Sequence, residues 1–303
     1  MIPVVFTFDK RFLPPAYIAI KSLIDSARKD TRYKIIILYM GKISWKVSEL
    51  YRVVKNTHHE MIILDIRKYD ILSPVTSGLW PSVVYVKLYL ATWLKEYDKV
   101  IFSDVDVLFR GDLTDVFEDD IEDYEWAGVA AERNNKNVSM HQYFVENKHE
   151  YIYMSGFMIL NLAKMRKTFW QERCDDIIKR YMNELYMYDL EVLNLTAKSI
   201  KRLPFRYVYL QSLFEAENIE DAGEFAWLNR IYSKEYLLEE KRRVVVIHYA
   251  GHVGRIGKPW LRYNPPQYYK QYLRELPLPL WCQNNRARAW KNIKCGIRAG
   301  LKI

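Results

Sequence analysis

Cysteine is scarce. Cys174, Cys282 and Cys295 are the only three, and their spacing makes neither a metal knuckle nor a disulfide framework. That excludes a stapled secreted scaffold and a cysteine zinc site, and it fits a reducing compartment. Long apolar runs are also missing, and none approaches the length of a membrane span. Met1-Ile2-Pro3 leads straight into the strand-like Val4–Asp9 instead of a leader segment, so a protein that is not exported is expected. The glycosylation-like triplets Asn137-Val-Ser139 and Asn194-Leu-Thr196 then read as chance. There is no internal repeat and no low-complexity linker.

What is present is a large core. Half of the 303 residues are hydrophobic, with 24 Tyr and 9 Trp, which excludes global disorder. Net charge is +9, but Leu276–Ile303 alone holds six bases (Arg286, Arg288, Lys291, Lys294, Arg298, Lys302) and no acid. The body is therefore near balance.

The first hundred residues alternate strand and helix patterns. Strands are expected at Val4–Phe8, Lys34–Tyr39, Met61–Ile66 and Lys99–Leu108. Helices are expected at Ala16–Ala27 behind Pro14-Pro15, from a Ser44 cap to about Lys55, and at Ser82–Tyr97. This order predicts a mostly parallel sheet flanked by helices, with ligands outside the carboxyl ends of the strands. Further on, strands are expected at Glu125–Glu132 and Tyr151–Leu162, the latter with a bulge or close approach at Ser155-Gly156. A loop is expected at Arg133–Asn137, helices at Thr168–Leu185 and Tyr188–Ala197, and a last strand at Lys241–Tyr249.

Within the Lys99–Leu108 run, Asp104 and Asp106 are two apart. On one continuous strand they share a face. Asp is a poor strand former, and neighbouring carboxylates repel unless a cation lies between them. Mn2+ or Mg2+ favours such oxygens and bridges to phosphates. A metal site for a phosphate-bearing ligand and a strand end running into solvent explain the pair equally well. The placement of Asp9 and the Asp104/Asp106 pair at strand carboxyl ends favours the metal.

The second constellation starts at His248. A lone histidine at a strand end is usually a core residue. Here it opens a loop with Gly251, Gly254, Gly257, Arg255 and Lys258, suited to approach phosphate, while His252 competes as a ligand. An Asp-x-Asp after a hydrophobic run, followed far downstream by His248-x-x-Gly251 and Lys258-Pro259-Trp260, resembles glycosyltransferase family 8. That family includes bacterial lipopolysaccharide galactosyl- and glucosyltransferases and glycogenin. Val5–Asp9, Ala19–Ser22, Ser155-Gly156, Leu160–Leu162 and Leu193-Asn194 support the likeness, which runs from Val4 to about Trp260.

The resemblance implies a GT-A fold, Mn2+ (Mg2+ also suiting the site), a UDP-sugar donor and retention at the anomeric carbon. It implies metal ligation by Asp104, Asp106 and His248. It places Thr7, Phe8 and Asp9 at the uracil, with Lys87, Ser103, Asp104 and Val105 near the donor. Gly251 with Lys258 or Arg255 would meet the diphosphate. Glu132, Ser155 and Asp189 would face the donor sugar. The sequence departs from the family pattern at Met154 and Leu190, where an Asn and a Gln are usual. Leu190 can neither attack nor stabilise a cation, so a different sugar, a different mode of attack or weak activity follows.

The expected division is a catalytic domain over 1–275 and a basic amphipathic tail over 276–303. Trp290, Ile293, Ile297 and Leu301 recur at helical spacing among bases, which suits an anionic membrane surface or, alternatively, a helix packed on the body. The expected partners are a UDP-sugar, a glycan or glycolipid acceptor and that membrane, with no nucleic acid. The expected location is the cytoplasmic face of the cell membrane. The rivals are a haloacid-dehalogenase-type phosphatase, whose Asp-x-Asp belongs on a first strand, and a catalytically weak nucleotide-sugar-binding relative.

Overall fold

Ile2–Asp9 (β1) is apolar almost throughout because it is buried on both faces of the sheet. The computed structural model describes residues 1–71, 82–137, 139, 141, 143–250 and 257–300; for residue 82 and residues 292–300 it describes the backbone alone. The other strands in chain order are Tyr33–Met40 (β2), Glu60–Asp65 (β3), Lys99–Ser103 (β4), Val107–Phe109 (β5), Trp126–Arg133 (β6), Tyr151–Asn161 (β7), Ile200–Leu203 (β8), Tyr209–Leu210 (β9) and Val246–His248 (β10).

Seven strands align as β3-β2-β1-β4-β7-β6-β8, and three form a second sheet, β5-β10-β9. In the large sheet β3, β2, β1 and β4 run parallel, as do β6 and β8. β7 is antiparallel to both β4 and β6. The parallel half lies where the alternating pattern placed it. Register brings Asp9 opposite Met40 and Phe6 opposite Ser103, so the carboxyl ends of β1, β2 and β4 open on one edge.

The helix Leu13–Asp25 begins with Pro14 and Pro15 in its first turn, where a missing N–H costs nothing. Its Ser22 is buried, donates to the Ala19 carbonyl at 2.8 Å, and accepts from the Phe109 amide at 3.0 Å. That bond ties the second sheet to the first helix. Phe6 and Phe109 meet edge to face with ring centres 6.2 Å apart.

Five expectations are corrected. The strand expected over Lys99–Leu108 breaks at residues 104–106: β4 ends at Ser103 and β5 starts in the other sheet. The expected long helix over Ser82–Tyr97 is a 3-10 stretch, Ser82–Tyr89, and one α turn, Leu90–Trp93. Val83, Val84 and Val86 are stiff at χ1 and weaken α-helix there. Ser44 is extended, but its hydroxyl makes no cap bond, and the helix behind it is only Trp45–Ser48 before 3-10 turns to Val53. Thr168 closes the helix Leu162–Lys167, and left-handed Phe169 separates it from Trp170–Tyr181, so the expected long helix is split. Finally, Lys241 and Arg242 end the helix Lys234–Arg242, which leaves only Val246–His248 as strand.

Candidate active site

The break after β4 builds the site. Asp104 leaves the large sheet with its amide bonded to the Gly156 carbonyl at 2.8 Å. Asp106 enters the small sheet with its carbonyl accepting from the Tyr249 amide at 2.9 Å. Antiparallel pairing sets His248 opposite Val107. Three ligand atoms, one each from Asp104, Asp106 and His248, lie within 4.8 Å of one another. His248 Nε2 is 3.3 Å from Asp106 and 3.9 Å from Asp104.

The imidazole lies against β7 where that strand carries extra residues: Met158 pairs with Gly128, and Tyr153 pairs with Ala130. This is the bulge expected at Ser155-Gly156. A Cβ on Gly156 would fall 2.2 Å from His248 Cε1, so only glycine lets the ring sit there.

Each carboxylate has a lysine. Lys258 Nζ reaches Asp106 at 2.7 Å and also donates to the Tyr249 carbonyl. Lys87 is 4% exposed and donates to Asp104 at 3.2 Å and the Ser155 carbonyl at 3.1 Å; its ammonium lies 2.9 Å from Asp189. Burial pulls the Lys87 ammonium down, but Asp104 and Asp189 outweigh it and hold its pKa above the ordinary value. Burial pushes the Asp104 carboxyl up against the pull of Lys87. Burial acts the same way on Asp106, yet Lys258 and His248 overcome it and hold that carboxyl well below the usual range.

Beyond Lys87 the site turns acidic. Asp189 starts the helix Asp189–Thr196, behind Tyr188 at φ 51° and ψ −106°. Asn194 on that helix clamps β7 in both directions: its Oδ1 accepts from the Tyr153 amide at 2.8 Å and its Nδ2 donates to the Tyr153 carbonyl at 2.9 Å. Glu132 at the end of β6 accepts from the His141 amide at 2.8 Å and lies 2.7 Å from His141 Nδ1. Glu191 is buried and accepts from the amides of Tyr186 and Met187 at 2.7 and 2.9 Å. Burial, aided by Asp189 and opposed by those amides and His141, pushes Glu191 up to about 7.

On the other side a cleft of about 1070 Å3 opens at the carboxyl ends of β1 and β2. Among the described residues, Lys10, Arg11, Lys42, Lys46, Arg67 and Lys258 line it, against a single acid, Asp9. Phe12 and Trp260 give it aromatic walls, with ring centres 6.4 Å apart. Lys258 belongs both to the cleft and to the Asp106 pair.

Residues 3–264 match the family model described as glycosyl transferase family 8. The chain belongs to this family. A Haemophilus influenzae protein assigned as a glycosyltransferase is 21% identical over 258 residues, 82% of this chain and 71% of its own length. GlyA, a glycosyltransferase of Streptococcus pneumoniae, is 24% identical over 178 residues, which cover 58% of this chain and only 21% of GlyA. Among solved structures, the bifunctional glycosyltransferase WbbM matches with a TM-score of 0.75 at 18% identity, covering 95% of this chain. The chain spans about half (52%) of WbbM. The galactosyltransferase LgtC, solved with donor and acceptor sugar analogues, matches with a TM-score of 0.67 at 17% identity over 93% of this chain and all of its own. The fold of this family 8 member is GT-A, and the protein is a glycosyltransferase. The phosphatase rival falls with that finding, and its Asp-x-Asp follows the fourth strand rather than the first.

Of the residues expected at the site, Asp104, Asp106, His248, Lys258, Lys87, Asp189 and the Ser155 carbonyl come together. Asp9 lines the cleft, but its carboxylate is held by Arg11, at 2.6 Å from Nη2. Phe8 is buried against Tyr39, Thr7 is 8% exposed, and Ser103 and Val105 are buried, with Ser103 Oγ donating to the Asp104 carbonyl at 2.9 Å. The side chains of all four are therefore turned away from solvent. Gly251, His252, Gly254 and Arg255 lie outside the described residues. His141, Glu191 and most cleft cations were missed in the sequence. Lys10-Arg11 directly after the strand-end Asp9 is the signal from which the cleft could have been read.

Proposed function

We propose that this family 8 enzyme is a metal-dependent, retaining transferase that moves a hexose from a UDP-sugar to a hydroxyl of a glycan or glycolipid acceptor, such as lipopolysaccharide. The observation that carries this reading is the junction at Lys258, where a basic cleft sized for a nucleotide adjoins a cluster of two carboxylates and an imidazole.

The donor set fits Mn2+ or Mg2+. Among the described residues, Asp104, Asp106 and Asp189 are ion-paired with Lys87 and Lys258, and these five groups together carry one excess negative charge. As it stands the cluster repels a diphosphate; with a divalent ion its sign reverses. Asp104, Asp106 and His248 would hold the ion. When bound, it would offset the charge developing on the departing diphosphate.

The chain's own groups divide the remaining work. Lys258 meets the diphosphate from the cleft side and adds to leaving-group stabilisation. Lys87 donates to Asp104 and Ser155 and is ion-paired with Asp189, so it positions the two carboxylates rather than binding phosphate. Glu132 and Asp189 orient the sugar. Asp189 is held by Lys87 and Glu132 by His141, so neither is presented as a lone nucleophile. This favours attack from the leaving-group face. The acceptor oxygen bonds to the anomeric carbon as the bond to UDP breaks, and a donor phosphate oxygen takes the acceptor's proton.

The helix Leu278–Gly300 is docked at its start, with Leu280 fully buried, yet Trp281 and Trp290 are 48% and 65% exposed. Exposed tryptophans on a basic helix support contact with an anionic membrane at the cytoplasmic face. No helix among the described residues is long and apolar enough to cross a membrane.

The test is turnover of UDP-glucose, UDP-galactose and UDP-N-acetylglucosamine with and without Mn2+, reading UDP release. Metal-dependent release from one of them supports the proposal. Metal-independent release would remove the ion from the mechanism. UDP binding without release from any of them would favour the binding-only relative, to which Met154 and Leu190 also point.

A further inference from the structure

The C-terminal helix forms part of the cleft wall. Gln283, Asn284 and Ala287 line the cleft from one side of that helix. Two contacts fix it there. Gln283 Nε2 donates to the Lys10 carbonyl at 2.6 Å, in the turn that follows Asp9. The helix also packs on the short helix Pro259–Leu261, which follows Lys258. One helix therefore holds both rims of the cleft.

Asn284 is the unexplained residue in this wall. It is 3% exposed, and its Oδ1 has no hydrogen-bond partner among the described residues. A buried amide oxygen without a partner is costly, and Leu would fill the position at no such cost. Bases and phosphate-binding groups are plentiful around the cleft, but a neutral amide is suited to something else. It offers one acceptor and two donors, which matches the uncharged hydrogen-bonding groups of uracil and ribose.

We infer that Asn284 hydrogen-bonds the nucleoside half of the donor, which makes the start of the C-terminal helix a specificity element of the donor site. This rests on the uridine-nucleotide reading of the cleft. It sets the helix apart from a purely membrane-directed tail: Trp281 and Trp290 are exposed on opposite flanks of the helix, while the side that bears Asn284 and Ala287 reads the nucleotide.

The experiment measures the affinity of full-length wild type, Asn284→Leu and Asn284→Ala for UDP and for inorganic diphosphate, each with saturating Mn2+, by titration calorimetry. It also records ligand-free melting temperatures. The expected result is UDP binding about tenfold weaker in both variants, or about 1.4 kcal/mol. Diphosphate affinity should stay at the wild-type value, and the melting temperature of Asn284→Leu should be unchanged or higher. A parallel titration with 2′-deoxyuridine diphosphate separates the sources: a loss confined to UDP assigns the ribose 2′-hydroxyl, and a loss on both assigns the rest of the nucleoside. Unchanged UDP affinity would overturn the inference while leaving the cleft reading intact. An equal loss for UDP and diphosphate would also overturn it, because the helix would then only support the site. Wild type that gains nothing from uridine over bare diphosphate would overturn the cleft reading and this inference together.

Discussion

On one side of the Asp104–Asp106–His248 cluster, six cations and one acid among the described residues line an open cleft. On the other side, beyond Lys87, the buried side chains are Asp189, Glu191 and Glu132, with His141 beside them. The cleft side is suited to a multiply charged ligand and can recognise it by charge. The acidic side turns its carboxylates inward, each held by a lysine, a histidine or backbone amides, and it is suited to a neutral, hydroxyl-rich ligand. The difference teaches that the proposed nucleotide and sugar ends of this site should respond to different perturbations: the first to charge removal, the second to loss of positioning.

The largest effect is expected from Asp106→Asn. It should weaken Mn2+-dependent UDP binding by about a hundredfold or more, because a proposed metal ligand is lost. The melting temperature should move little by comparison. Calorimetry and thermal unfolding on the same sample check both.

Gly156→Ala sharpens the comparison without touching a charge. The new Cβ must displace His248, so Mn2+ affinity should fall about tenfold to a hundredfold, the range for disturbed metal-site support. Unchanged Mn2+ affinity would mean that His248 is not a ligand.

Lys258→Met should weaken UDP about tenfold while leaving uridine affinity near wild type, since Lys258 serves the phosphate end. Equal losses for both would break the division between charged and uncharged ends of the cleft.

On the acidic side the expected effect is on stability. Glu191 is held near 7 in the folded protein against an ordinary value of 4.5, with burial as the main cause. The folded state therefore prefers the protonated form. Stability is highest below the ordinary value, falls as pH rises towards 7, and levels off above it. Glu191→Gln keeps an oxygen for the Tyr186 and Met187 amides and removes this penalty. The variant's melting temperature should match wild type near pH 4.5 and exceed it at pH 8, by an amount that corresponds to at most about 3.5 kcal/mol at about 1.4 kcal/mol per pH unit. A constant difference across pH would contradict the assignment.

The same two sides differ in how much the sequence disclosed. β1 to β4 were legible because each is a short apolar run bounded by turn residues, and buried parallel strands need nothing more. Ser155-Gly156 was legible because glycine in a strand marks a close approach, here to His248. The switch of sheet at residues 104–106 was not legible. Asp104 and Asp106 converge because β5 leaves for β10, a partner more than a hundred residues away, and not because they share a strand face. The end of the helix Lys234–Arg242 was hidden for a similar reason: Glu240 is buried and paired with Arg206, a contact that local patterning does not show. The cleft cations come from four separate stretches between Lys10 and Lys258, so no local charge run announced them.

The central claim is that the Asp104–Asp106–His248 cluster becomes attractive to a uridine diphosphate only when a divalent ion reverses its charge. Calorimetric titration of UDP into the wild-type protein, first with chelator and then with saturating Mn2+, tests it directly. The account predicts at least a tenfold gain in affinity with Mn2+, a gain that Asp106→Asn eliminates. Equal affinity with and without Mn2+ would contradict it.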